Sequence, residues 1–278
     1  GSTWSTSTSL ITTRSQLTGD GTTNAGLVFG GLTPSTVTCT EEYNGSSWSA
    51  GGALITGRYL LGGAGTPSAA LAFGGASPYL TCTEEYNGSS WSAAKAMSNA
   101  RSQLGEAGVQ DAALAFGGRA PSPATNTTFT EEYTYGVYCV GAWSFGGNLI
   151  TGRSAAGAAG TSNAALYFGG LTPSLTAATE EYDGSSWSSG GSLITARRGI
   201  GGTGTQNAGL AAGGMTPTKV TCTEEYDGSS WASGGSLISG RDSVMLAGTQ
   251  NASLGSGGRT VVAPAGGGTT CTEEYNGS

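Results

Sequence analysis

Glu-Glu-Tyr occurs six times, ending at Tyr43, Tyr86, Tyr133, Tyr182, Tyr226 and Tyr275. An Arg stands at 14, 58, 101, 153, 197 and 241, ten residues after a Trp in every case. Paired carboxylates can serve as general acid and base, or hold a cation. Adjacent residues of an extended strand point to opposite faces, however, so Glu41 and Glu42 cannot share one substrate. Arg14, Arg58, Arg101, Arg153, Arg197 and Arg241 fit two arrangements. They could form a cationic ring for an acidic ligand, or six structural Arg–Glu staples between neighbouring units. Sixfold repetition favours the staples, because a ligand site needs asymmetry.

The chain has no His. That excludes Ser-His-Asp and Cys-His activation, imidazole metal ligation and His general bases. Cys39, Cys82, Cys222 and Cys271 share one repeat position, which holds Phe129 and Ala178 in the other two copies. A position that accepts Cys, Phe or Ala reads as apolar packing, so buried thiols are expected and disulfides are not. Cys139 lies apart, in an insertion. No metal site and no cofactor is expected.

These residues need a scaffold that repeats. Trp, Arg, Gly-Gly and Glu-Glu-Tyr recur six times in one order, with a period of about 44 residues. From Arg58, one unit holds four short segments parted by turn signals. They run from Arg58 to about Gly65, over 69–73, over about 80–86, and around Trp91. Asn87-Gly88 predicts a two-residue type I′ hairpin turn. Four antiparallel strands per unit make a blade, and six units make an all-β, six-bladed β-propeller spanning 1–278 as one domain. On that fold the six Arg would lie at the rim of the central channel. Gly and Ala of the first two strands suit the crowded axis; Trp and Tyr suit the wider periphery. The last unit stops at Tyr275-Asn276-Gly277-Ser278 without its Trp strand, while Ser2-Thr3-Trp4-Ser5 matches Ser46-Ser47-Trp48-Ser49. The N-terminal segment is therefore expected to complete the last blade and close the ring.

Gly is 51 of 278 residues, charged residues are 10%, and the formal net charge is −7. The regular aromatic spacing argues for a folded repeat rather than disorder. The acidic balance lacks the footprint of a nucleic-acid binder. With no apolar run of 18 residues, membrane insertion is not expected.

The order of Arg, Gly-Gly, Tyr and Trp, seen in Arg58, Gly74-Gly75, Tyr86 and Trp91, resembles the kelch repeat and covers nearly the whole chain. Two features depart from it: Tyr precedes Asn-Gly or Asp-Gly, and the second strand reads Ala-Leu-Ala-Phe. The Glu-Glu-Tyr-Asp-Gly-Ser-Ser-Trp style also resembles repeats of virion-associated proteins of marine bacterial viruses. The kelch resemblance implies protein or ligand binding. The copper-oxidase variant of that family needs His ligands, which this chain lacks. Asp183-Gly184-Ser185-Ser186-Trp187 is similar to the Asp-box of sialidases, but its Asp–Gly spacing differs, and it reads as a hairpin turn.

Function is expected where the repeat is broken. Blade 3 has a longer loop between its second and third strands, with Arg119 and Asn126; blade 6 has the longest, starting at Arg259. The two blades oppose each other, and their loops share the face that carries the blade-to-blade links. Blade 3 also lengthens a turn on the other face, with Tyr135 and Tyr138. A non-catalytic module is expected, binding a glycan or protein at a surface in an extracellular or virion-associated setting, with Arg119, Asn126 and Arg259 as polar contacts and Tyr135 and Tyr138 stacking. The alternatives are an assembly protein that docks partner subunits and, less favoured, a sialidase-like enzyme.

Overall fold

The computed structural model describes residues 1–76, 78–121, 125–136, 140–260 and 268–277. Within one unit, alternation and turn chemistry produce a four-stranded antiparallel sheet. In blade 1 the strands are Thr18–Thr22, Ala25–Phe29, Thr40–Tyr43 and Trp48–Ala50, paired in chain order. Five sheets repeat that order. The sixth is ordered Thr3–Ser7, Thr272–Asn276, Ala252–Ser256, Met245–Thr249, so the N-terminal strand is its outer member. Trp4 pairs with Tyr275, as Trp48 pairs with Tyr43. The first strands of successive blades adjoin around the axis, and Thr18–Thr22 meets Met245–Thr249 to complete the circle. The chain is a six-bladed β-propeller closed by its own N-terminal strand.

The core lies between blades. Leu27 and Phe29 pack with Ala70, Ala72, Tyr86 and Trp91 of the next blade, and each interface repeats this grouping. Small residues on the first strand permit it: a Cβ on Gly62 would meet the Phe73 ring at 2.4 Å. Two polar ties span each interface. Tyr86 Oη donates to Glu42 Oε1 (2.5 Å) and Trp91 Nε1 to Thr40 Oγ1 (2.9 Å), both one blade back. The second Glu of every pair thus serves the following blade.

Two sequence expectations need correction. The connection after Tyr86 has four residues, Asn87 to Ser90, rather than two, with only Gly88 at positive φ, and the connection after Tyr43 matches it with Asn44 to Ser47. Only Gly45 takes a positive φ there, so the turn is not type I′. Asn44 Oδ1 accepts from the backbone amides of Ser46 (3.0 Å) and Ser47 (2.9 Å), a side-chain substitute for a backbone turn. Asp183 and Asp227 do the same, and these bonds hold both exposed carboxyls down to about 2. An acceptor oxygen is what the site requires, which is why Asn and Asp interchange.

The Cys position is not a buried packing site either. Cys39, Cys82 and Cys222 are half-buried free thiols, Cys271 is exposed and Phe129 is 39% exposed. The useful atom there is the carbonyl: Cys39 O accepts from Gly30 N (3.0 Å) and Arg14 Nη1 (2.7 Å). The side chain is therefore free to vary.

Candidate functional site

The six repeated Arg residues have no exposed surface and pair with Glu41, Glu84, Glu131, Glu180, Glu224 and Glu273. These are the Arg–Glu staples favoured over a ligand-binding ring, and the buried guanidinium groups form no cationic channel rim. The pairs also lie within a blade rather than between blades. Each Glu fixes the incoming link as well: Glu41 accepts from the amides of Ile11 (2.7 Å) and Thr12 (3.2 Å). Arg and the first Glu together fasten the blade-to-blade link to the third strand.

The channel itself is built by the first strands. At its mouth, on the face of the links, Gln16, Leu60, Gln103, Ala155 and Ser243 adopt φ of 53° to 58°, joined by Gly199 at 64°. A left-handed backbone is unusual for residues with a Cβ and costs about 1–2 kcal/mol each. A chain of head-to-tail hydrogen bonds supports it: Leu60 N to Gln16 O (2.9 Å), Gln103 N to Leu60 O (3.0 Å), Ala155 N to Gln103 O (3.1 Å), Gly199 N to Ala155 O (2.6 Å) and Ser243 N to Gly199 O (2.8 Å). This backbone belt lines one end of an axial cavity of 410 Å³.

Two carboxyls line that cavity at places where the repeat is broken. Asp20 stands where the other first strands have Ala64, Ala107, Ala159, Thr203 and Ala247; Glu106 stands where they have Gly19, Gly63, Ala158, Gly202 and Leu246. Asp20 accepts from Gly21 N (2.6 Å) and Gly65 N (2.9 Å), and Glu106 accepts from Thr18 Oγ1 (3.3 Å). Removal from bulk water raises Asp20 to about 6 and, with the Asp20 charge added, Glu106 to about 8. Sequence reading missed both, although lone acids in a Gly/Ala strand were the available signal.

The sign of their effect on stability follows. Both groups bind protons more tightly when folded than when unfolded, so their contribution is complete at low pH and is lost as pH rises. For Glu106 the window runs from 4.5 to about 8. The melting temperature should fall across it, and Glu106→Gln should flatten the fall and raise the melting temperature at pH 8. A pH profile of thermal melts for both proteins checks this; identical slopes would remove Glu106 as the cause.

The residues expected to bind ligand do not gather at one point. Arg119 is exposed on the link face. Its neighbours Ala120 and Pro121 border a 290 Å³ groove with Ser98, Asn99, Thr127 and Phe129. Asn126 is half-buried and donates to Leu171 O of blade 4 (2.6 Å). Arg259 is engaged with Asp242 through Nε (3.2 Å) and Nη2. Tyr135, on the opposite face, packs edge-on against Tyr133 with ring centroids 6.0 Å apart. Tyr138 lies outside the described residues, as do Cys139 and 261–267 of the blade 6 loop.

No family model and no curated protein matches the chain. Among solved structures it is similar to one described as the structure of YjhT, with a TM-score of 0.77, 16% identity, and 95% of each chain covered. That likeness is one of fold.

Proposed function

We propose that this propeller is a non-catalytic, kelch-type binding module that recognises a glycan or protein at a surface, with host attachment on a virion as its setting. The observation that carries this reading is how the repeated ionisable groups are used. Six Glu are held by buried Arg, and the other six take a hydrogen bond from, or face, the Tyr of an adjoining blade. Catalysis on the sialidase pattern would need a carboxylate with an accessible Tyr. Tyr167, the phenol whose ionisation feels Glu106, has no exposed surface and donates to Arg153 O (3.1 Å). Among the described residues, the blade 3 groove offers a surface for recognition, bordered by Ala120 and Pro121 next to Arg119 and lined by Phe129.

A glycan array with the purified protein tests this. Arg119→Ala should weaken a retained ligand by about 10- to 100-fold, the range of one charge-assisted hydrogen bond. Silence across the array would move the reading to subunit assembly. Turnover of any glycoside would overturn the non-catalytic assignment.

A further inference from the structure

Each blade-to-blade link carries a buried residue followed by a second one: Leu10-Ile11, Leu54-Ile55, Met97-Ser98, Leu149-Ile150, Leu193-Ile194 and Leu237-Ile238. The first of each pair is in the core. The five Ile are 54% to 60% exposed. They are rigidly presented, because every amide at this position donates to a buried Glu, at 2.7 Å for Ile11, Ile55, Ile150 and Ile194. Ser98 makes the same bond at 2.7 Å in blade 3. The fold thus accepts Ser here, and the Ile side chains do no packing that the ring requires. Equivalent positions of a closed propeller lie at one height along its axis, so five apolar side chains form a planar circle on the link face.

The same face is cationic despite the net charge of −7. Six of the eleven Lys and Arg are buried in ion pairs. The other five, Lys95, Arg119, Arg198, Lys219 and Arg259, all sit on links or loops of the link face, where the one Asp, Asp242, is buried against Arg259 and Lys219. The exposed acids Asp111, Asp183 and Asp227 lie on the turns of the opposite face.

We propose that the link face seats on an anionic lipid surface, with the Ile circle entering the headgroup boundary and the cations meeting the headgroups. This rests on the reading of the chain as a surface-binding module and names the surface. Single apolar side chains spread over five of the six links suit a laterally uniform medium, whereas protein interfaces concentrate their apolar anchors at a centre. Face-to-face pairing of two copies would oppose like charges, and head-to-tail stacking would set Ile against polar Asp-Gly-Ser-Ser turns. A planar anionic bilayer complements both features.

Cosedimentation with phosphatidylserine–phosphatidylcholine vesicles, against phosphatidylcholine alone, tests the proposal. The intact chain should pellet with the anionic vesicles and be released by salt. Ile55→Ser/Ile194→Ser/Ile238→Ser copies the natural Ser98, so it should melt like the parent and yet bind at least roughly tenfold more weakly. Lys95→Ala/Arg119→Ala should lose the preference for anionic vesicles. Absence of cosedimentation at low salt, binding untouched by the Ile substitutions, or an Ile-dependent dimer in light scattering would each overturn the lipid assignment. Glycan binding sensitive to Arg119→Ala would survive any of those results and keep the binding-module reading, so the two fail separately.

Discussion

Deleting residues 1–9 should unfold or aggregate the whole ring rather than fray one edge. Thr3–Ser7 pairs along its full length with Thr272–Asn276. Trp4 is a core residue between blades 5 and 6, with Leu210, Leu237, Leu246 and Tyr275. Its Nε1 donates to Thr223 Oγ1 (3.1 Å) on blade 5. Ser7 Oγ donates to Glu274 Oε1 (2.6 Å) and lies 3.0 Å from Tyr43 Oη on blade 1. The segment therefore ties three blades. Loss of the Trp alone is worth about 3–5 kcal/mol, which corresponds to roughly 6–20 °C of melting temperature for a chain of this size. Deletion also bares the Thr272–Asn276 edge, a template for intermolecular pairing. Thermal melts of the deleted protein and of Trp4→Ala measure this. A synthetic peptide of residues 1–9 should restore part of the loss by strand addition. An unchanged melt would mean that the ring holds without its closing strand.

The same strand shows why so much of the fold was readable. Trp, Arg, Gly-Gly and Glu-Glu-Tyr each fill a site that every blade must build, so sixfold recurrence exposed both the blade and the missing strand around Trp4. Positions that use only the backbone left no such trace. The Cys39 carbonyl matters and its thiol does not, so the side chain there misled. Asn87-Gly88 suggested a type I′ turn because that dipeptide often forms one, but the Asn side chain captured the amides of the two Ser residues instead. The belt from Gln16 to Ser243 has no common residue type, since neighbouring backbones hold it together. Repetition also hid something: Ile11 and its equivalents look structural until Ser98 is seen making the same bond. Of the candidate site, loop length drew attention to Arg119, but the groove bordered by Ala120, Pro121 and Phe129 left no trace in the repeat. Loop length did not reveal that Asp242 already engages Arg259, because that pairing depends on a short bridge between Arg241–Asp242 and Arg259–Thr260.

Breaking one buried Arg–Glu pair should destabilise nearly as much as losing the closing strand. Arg101 and Glu131 are both fully buried, 3.1 Å apart. Arg101 remains charged at neutral pH, although burial lowers it to about 10. Arg101→Met would leave Glu131 buried without its cation, which costs about 3–5 kcal/mol. Replacing both members by apolar residues often recovers such a loss. Here it should not. Arg101 also donates to Phe129 O (2.7 Å), Ala115 O (3.0 Å) and Gly117 O (3.4 Å), and Glu131 accepts from Ser98 N (2.7 Å). The pair is a connector between backbone groups of the link, the second strand and the third strand. Arg101→Met/Glu131→Leu would strand those groups without partners, at about 1–3 kcal/mol for each that stays dry. The double variant should therefore melt no higher than Arg101→Met, with less than additive loss in the cycle. Recovery to the parent melting temperature would show that the charges matter only to each other, and that the six pairs are dispensable as connectors.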